Sequence, residues 1–119
     1  MPAKAKKTAT KSTEKLNLIT CVLQRGRANQ VAKAAMHAGA SGATVFPARG
    51  MGLGELVKAL GFPIVPQKEV ITVVASVTST KKIFDAVCRA AELDTPGMGI
   101  AYVSPIQTVV GLFKGAPSK

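Results

Sequence analysis

Two glycine-bearing segments hold the residues best suited to meet a ligand. The first is Arg49-Gly50-Met51-Gly52, and the second is Gly97-Met98-Gly99. Without a Cβ, the backbone at such positions can approach a phosphate or a base edge closely. A turn of successive N–H groups can cradle an anion, and Arg49 adds a planar fork of donors. This chemistry is binding, not bond-making. The six acidic residues, Glu14, Glu55, Glu69, Asp85, Glu92 and Asp94, form no spaced pair suited to acid–base work. His37 is the single histidine, and Cys21 and Cys88 are the two cysteines. No clustered set of ligands for a metal is readable. Phosphate-loop, nucleophile-elbow and HExxH signatures are absent. The chain therefore reads as a protein that is not an enzyme, with no catalytic and no metal residues.

The elements that position these segments follow from periodicity. Leu16–Leu23 reads as a strand. Ala28–Ala38 reads as a helix with Ala28, Val31, Ala32, Ala35 and Met36 on one face, stopped by Gly39. Ala43–Ala48 reads as a second strand that runs into a long central connection, Arg49–Gln67, stiffened by Pro63 and Pro66. Glu69–Val77 is rich in β-branched residues and predicts a third strand. Thr78–Thr80 offers a cap for a second helix reaching about Leu93, with Ile83, Phe84, Val87, Cys88 and Ala91 facing the sheet. After a tight glycine turn over Asp94–Gly99, Ile100–Val103 predicts a fourth strand. Pro105–Gly111 predicts a last edge strand or crossing element.

The two halves resemble each other, since each is a β-α-β unit. Two such units make an α+β fold of the ferredoxin-like split β-α-β type, with an antiparallel sheet and two helices on one face. The other face also carries Val and Ile, so an assembly is expected to cover it.

Charge is unevenly spread over the 119 residues, with a formal net charge of +10. Residues 1–15 hold Lys4, Lys6, Lys7, Lys11 and Lys15 against Glu14 alone. A Lys/Ala/Thr/Ser tail has nothing to bury and is expected to be disordered. It could contact nucleic acid but lacks Arg and aromatics, which limits base recognition. A flexible terminus is expected over 114–119, leaving a domain at 16–113. No apolar run reaches the roughly 20 residues that span a bilayer, and two cysteines are too few for a secreted disulfide framework. A cytoplasmic location is the expectation.

The segments ATVFPARGMG (Ala43–Gly52), VITVVA (Val70–Ala75) and TPGMGIAYVSPIQTVV (Thr95–Val110) resemble the PII signal-transduction superfamily in order and spacing. The resemblance implies a trimer that binds adenine nucleotides between subunits. It also implies a loop after the second strand, the T-loop, that responds to ligand and docks on a target protein. Carried over by position, it marks Arg49, Gly50, Gly52, Gly97, Met98 and Gly99 as effector-binding residues, and Leu53–Pro66 as the partner-contacting segment. The sequence departs from the family pattern at three cationic positions. Ile100 stands where a phosphate-binding lysine is usual, and Gly111 and Phe113 stand at the two arginine positions of the last strand. Lys114, Arg25 and Arg27 are the candidate replacements. The central loop is also shorter than usual and has no tyrosine to modify.

The reading is a divergent PII-like regulator. Its effector is an adenine nucleotide (ATP, ADP or AMP) held mainly by base and ribose, or a small anion such as bicarbonate. The alternatives are a trimeric interaction module without small-molecule control, or a basic nucleic-acid binder acting through the tail.

Overall fold

A computed structural model describes residues 15–50 and 67–111. The expected tail up to residue 14, Gly52, the partner segment Leu53–Pro66 and the terminus 114–119 lie outside the described residues.

Six elements follow in order: β1 (Leu16–Gln24), α1 (Ala28–His37), β2 (Thr44–Arg49), β3 (Gln67–Ser76), α2 (Val77–Ala90) and β4 (Gly99–Ile106). The sheet order is β2-β3-β1-β4, and every neighbouring pair is antiparallel. This is the ferredoxin-like sandwich expected from the duplicated β-α-β pattern.

Strict alternation decides which residues enter the core. Ile19, Cys21 and Leu23 on β1 lie across from Val73, Ile71 and Glu69 on β3. With Val73, Ile71 and Ala75 they form the sheet's contribution to the core. The helices contribute narrow stripes: Ala28, Val31 and Ala35 from α1, and Ile83, Val87 and the following Ala91 from α2. The small alanines let the backbone of α1 lie close to the sheet. Its buried stripe is narrower than the expected face, because Met36 is 48% exposed and Ala32 is only half-buried.

Several boundaries differ from the sequence expectation, each for a local reason. β3 ends at Ser76, not Val77, and Ser76 rather than Thr78–Thr80 caps α2. Its backbone is extended, and its Oγ accepts from the Ser79 N–H at 3.3 Å. Val77 becomes the first helical residue, and its N–H donates to the Lys15 carbonyl at 3.1 Å. Thr80 is buried instead, donating to the Ser76 carbonyl and accepting from Asn17 Nδ2 on β1. α2 stops at Ala90, short of Leu93, and Glu92 takes a left-handed conformation at φ 57°. Phe84 and Cys88 on its expected sheet-facing side are only half-buried. β4 continues through Pro105 to Ile106, so Pro105 does not begin a separate element. A proline is tolerated there because β4 is an edge strand, and the same holds for Pro47 on β2. Residues 107–111 form no strand.

The second sheet face carries no helix from the described residues. Across it run Phe46, Val70, Val22 and Ile100 in one row, and Thr44, Thr72, Thr20 and Tyr102 in the next. Among the described residues, no helix is long and apolar enough to cross a membrane.

Candidate functional site

The candidate residues gather at one end of the sheet but do not converge. Arg49 is the last residue of β2 and pairs with Gln67, the first residue of β3. Gly50 follows Arg49 directly. On the far side of the sheet, Gly97 and Met98 lead into Gly99, the first residue of β4, which pairs with Leu23 of β1. β3 and β1 stand between β2 and β4. Three strand spacings, about 14 Å, separate the strand that carries Arg49 from the strand that begins at Gly99. One chain alone does not bring the two segments onto a common small ligand.

The glycine turn is held by its surroundings. Gln24 Nε2, at the end of β1, donates to the Gly97 carbonyl at 2.9 Å. Gly97 is left-handed at φ 86° and Gly99 lies at φ 148°. A Cβ on Gly99 would sit 2.2 Å from the Val22 carbonyl oxygen. That position therefore requires glycine both for its backbone angles and for close strand approach. Ile100, which stands at the usual lysine position, is apolar and 58% exposed, and Gly111 is also exposed.

The Arg49 side of the sheet holds a cavity of about 450 Å³, lined by Arg25, Pro47, Arg49, Gln67, Lys68 and Glu69 among others. The β1–α1 turn forms one wall. Glu69 fixes that turn, because its Oε1 accepts from the N–H groups of Gly26 and Ala28, both at 3.0 Å. A carboxylate on the neighbouring strand thereby satisfies donors at the start of α1 that its own sequence leaves uncapped. Arg25 Nη1 donates to Gln67 Oε1. Of the two arginines in the turn, only Arg25 joins Arg49. Arg27 instead donates to the Ala90 carbonyl at 3.4 Å and lies 3.6 Å from Glu92. There it complements the carbonyl end of α2. Lys114, the third candidate replacement, lies outside the described residues. The sequence carried no local sign of the Gln67 and Glu69 contacts, which bridge about forty positions.

The remaining reactive side chains are placed structurally. His37 is exposed at the end of α1. Among the described residues, no group of three or more His, Cys, Asp or Glu is placed to hold a metal ion. Lys81 pairs with Asp85 one turn along α2 at 3.0 Å. Burial pushes the Cys21 thiol up to about 11, and Cys88 adds to the shift. Burial and then Asp85 push Cys88 up as well. Both thiols stay protonated at neutral pH, which suits packing and not nucleophilic attack.

A pH dependence follows from Cys21. Unfolding returns it to its ordinary value of 9.0. Above that pH the unfolded chain releases a proton that the folded chain keeps, so stability falls as pH rises through roughly 9 to 11. Denaturant titrations at pH about 8 and about 10.5 should show a steeper loss for the wild type than for Cys21→Val. Equal losses would remove Cys21 from this role.

Comparison with known proteins agrees with the fold. The family model described as nitrogen regulatory protein P-II matches residues 16–115. No curated protein sequence matches the chain. Among solved structures, the crystal structure of Arabidopsis thaliana PII bound to citrate is similar, with a TM-score of 0.62 and 19% sequence identity. The match covers 79% of this chain and 79% of that one. At that identity the likeness is one of fold.

Proposed function

The chain belongs to the nitrogen regulatory P-II family, whose members are regulatory and not catalytic, and from that premise we propose that it is a divergent trimeric sensor. A small effector binds between Arg49 and Gly50 of one subunit and the Gly97–Gly99 turn of the next. Occupancy selects one state of the central loop, and that state changes affinity for a target protein contacted through Leu53–Pro66. The observation that carries this reading is the separation of the two segments. They lie at the same end of the sheet but on its opposite edge strands, so copies placed side by side would complete what one chain leaves apart.

The effector is an adenine nucleotide or a small anion such as bicarbonate. The structurally similar Arabidopsis protein holds citrate, so a carboxylate belongs in the same test. Exposed apolar Ile100, in place of a phosphate-binding lysine, favours a weaker nucleotide site than is usual. That same loss supports the alternative of a trimeric module that keeps its partner but no longer senses nucleotide.

Calorimetric titration of the full chain with ATP, ADP, AMP, bicarbonate and citrate tests the proposal. Saturable heat with at least one ligand is expected, weakened about tenfold or more in Arg49→Ala, as the loss of a charge-assisted contact predicts. Flat titrations on folded, trimeric protein would leave the interaction module standing and remove the sensor.

A further inference from the structure

We infer that the outer face of the two helices, together with the lysine-bearing residues 1–15, is a docking surface for the phosphate backbone of duplex nucleic acid, bound without regard to base sequence. The inference goes beyond the effector reading and does not depend on it. Lys15 precedes the start of β1, whereas Arg49 and the Gly97–Gly99 turn lie at the other end of the sheet.

The case begins with the charges that internal pairing leaves over. α1 and α2 carry Lys33, Lys81, Lys82 and Arg89 against one carboxylate, Asp85. Lys81 takes that carboxylate at 3.0 Å. Glu92, just beyond α2, faces Arg27 at 3.6 Å. Lys33, Lys82 and Arg89 are exposed, and their side chains have no hydrogen bond or ion pair among the described residues. Residues 1–15 add five lysines against Glu14 alone.

Helical spacing puts these cations on one surface. Thr80, Ile83 and Val87 of α2 are buried, so Lys82 and Arg89, two turns apart, share the opposite stripe. About 10 Å separates them along the axis, roughly three phosphate steps of one strand. On α1, buried Ala28, Val31 and Ala35 turn Lys33 outward in the same way, with exposed His37 one turn on. The helices lie side by side, and Gln30 Nε2 of α1 donates to the Ala90 carbonyl of α2 at 3.4 Å. The lysine-bearing segment joins this layer at its edge. The Lys15 carbonyl accepts from the N–H of Val77, the first residue of α2, at 3.1 Å. Lys82 stands in the second turn of that helix. Chain connectivity alone keeps Lys11 within about 14 Å of Lys15.

Residue type narrows the partner. Thr8, Thr10, Ser12 and Thr13 alternate with the lysines of residues 1–15, and lysine with small hydroxyls is a set that contacts phosphodiester oxygens. Residues 1–15 hold no aromatic, Leu, Ile or Val, so they lack the apolar anchor that lasting attachment to a lipid surface needs. A fixed array of carboxylates on a protein is best matched by guanidinium forks, and Arg89 is the one arginine in this set. Unstacked bases of a single strand need exposed rings. Phe84, the one aromatic on the two helices, is half-buried, and the exposed Phe46 and Tyr102 belong to the sheet. Charge repeated along a duplex backbone is what this surface fits, and nothing on it reads base edges.

Fluorescence anisotropy of the full chain with a labelled DNA duplex of about 24 base pairs, from about 50 to about 200 mM salt, tests the surface. A matched RNA duplex, polyglutamate and phosphatidylserine vesicles are run beside it. Saturable duplex binding is expected, with the logarithm of affinity falling against the logarithm of salt at a slope of about −4 to −6. Neutralising Lys4, Lys6, Lys7 and Lys11 together to Gln should weaken binding about tenfold or more and flatten the slope by about 3. The combined Lys33→Gln, Lys82→Gln and Arg89→Gln variant should weaken it about fivefold or more and flatten the slope by about 2. Arg25→Gln, an exposed cation beyond the far end of β1, should change affinity less than about twofold. A duplex of scrambled sequence should bind as well as the first. The helix positions are exposed, so the variants should keep the wild-type circular dichroism.

Wild-type affinity in the folded helix-face variant would overturn the surface, because the contact would then belong to residues 1–15 alone. A loss in Arg25→Gln equal to that of the helix-face variant would reduce the effect to net charge and overturn it as well. Tighter binding to polyglutamate or to the vesicles than to either duplex would replace nucleic acid with an acidic protein or a membrane. Absence of saturable duplex binding in the wild type would also overturn the inference. Binding of either the DNA or the RNA duplex with the expected variant losses would support it, and the two together tell which duplex is preferred.

Discussion

Gly99→Ala should lower the melting temperature by more than about 10 °C, the largest stability loss expected from a methyl group added to any of the described glycines. Two costs coincide at that position. The backbone angle of φ 148° lies where side-chain-bearing residues are strained, at a cost of about 1–3 kcal/mol. The added Cβ would also stand 2.2 Å from the Val22 carbonyl oxygen and 3.3 Å from its carbon. The obstacle is backbone at the centre of the sheet and cannot rotate away, so β4 must shift or detach, at about 1–3 kcal/mol more. For a domain of this size each kcal/mol moves the midpoint by about 4–8 °C.

Gly42→Ala is the matched control. A Cβ there meets nothing within 4 Å, and the backbone is not left-handed, so its effect should stay within about 0.5 kcal/mol. Comparable melting curves for the two variants would mean that the approach of β4 to β1 is not fixed by Gly99. A destabilised Gly99→Ala protein should also lose protection from hydrogen exchange first along β4. The same substitution would then disturb the glycine turn that precedes the strand.

The sequence made the sheet and helices legible because their signals are local and repeated. Alternation in LNLITCVL and EVITVVAS places the core residues, and the two β-α-β halves support one another. Boundaries were less legible where several residues compete for one role. Ser76, Thr78, Ser79 and Thr80 can all cap a helix, and the choice of Ser76 depends on where β3 leaves the sheet. Pro105 reads as a breaker unless its strand is known to be an edge.

The glycine turn of the candidate site was legible from residue type alone, since Gly97 and Gly99 adopt angles suited to glycine. The choice between Arg25 and Arg27 was not legible. They sit two residues apart in one turn, yet Arg25 meets Gln67 at the start of β3 and Arg27 meets the end of α2. Contacts spanning forty to sixty positions decide that difference, and no local pattern encodes it.

Tyr102→Asp should convert the assembled protein to monomers while leaving each subunit folded. On the sheet face that no helix of the described residues covers, Tyr102 lies beside Thr20 and is 49% exposed, with Phe46 at 43% and Ile100 at 58%. Leu18, Val22 and Val74 extend the same surface between them. A face that is largely apolar, with exposed aromatics on either side of a threonine row, is suited to burial against further copies of the chain. Within a single subunit an aspartate at such an exposed position keeps its water, so the melting curve of dilute protein should change little. In an interface the same carboxylate would be buried without a partner, which is strongly destabilising. Sedimentation velocity should show wild-type trimers and Tyr102→Asp monomers at the same concentration, with an apparent dissociation constant raised about 100-fold or more, the equivalent of about 2.7 kcal/mol. General repulsion cannot produce this result. The chain carries +10, so one added negative charge lowers the repulsion between copies and by itself would favour association. A variant that remains trimeric would place the interface elsewhere on the molecule, and a monomeric wild type would remove the assembly on which the intersubunit cleft depends. Any ligand of the intersubunit cleft should be lost in the monomeric variant.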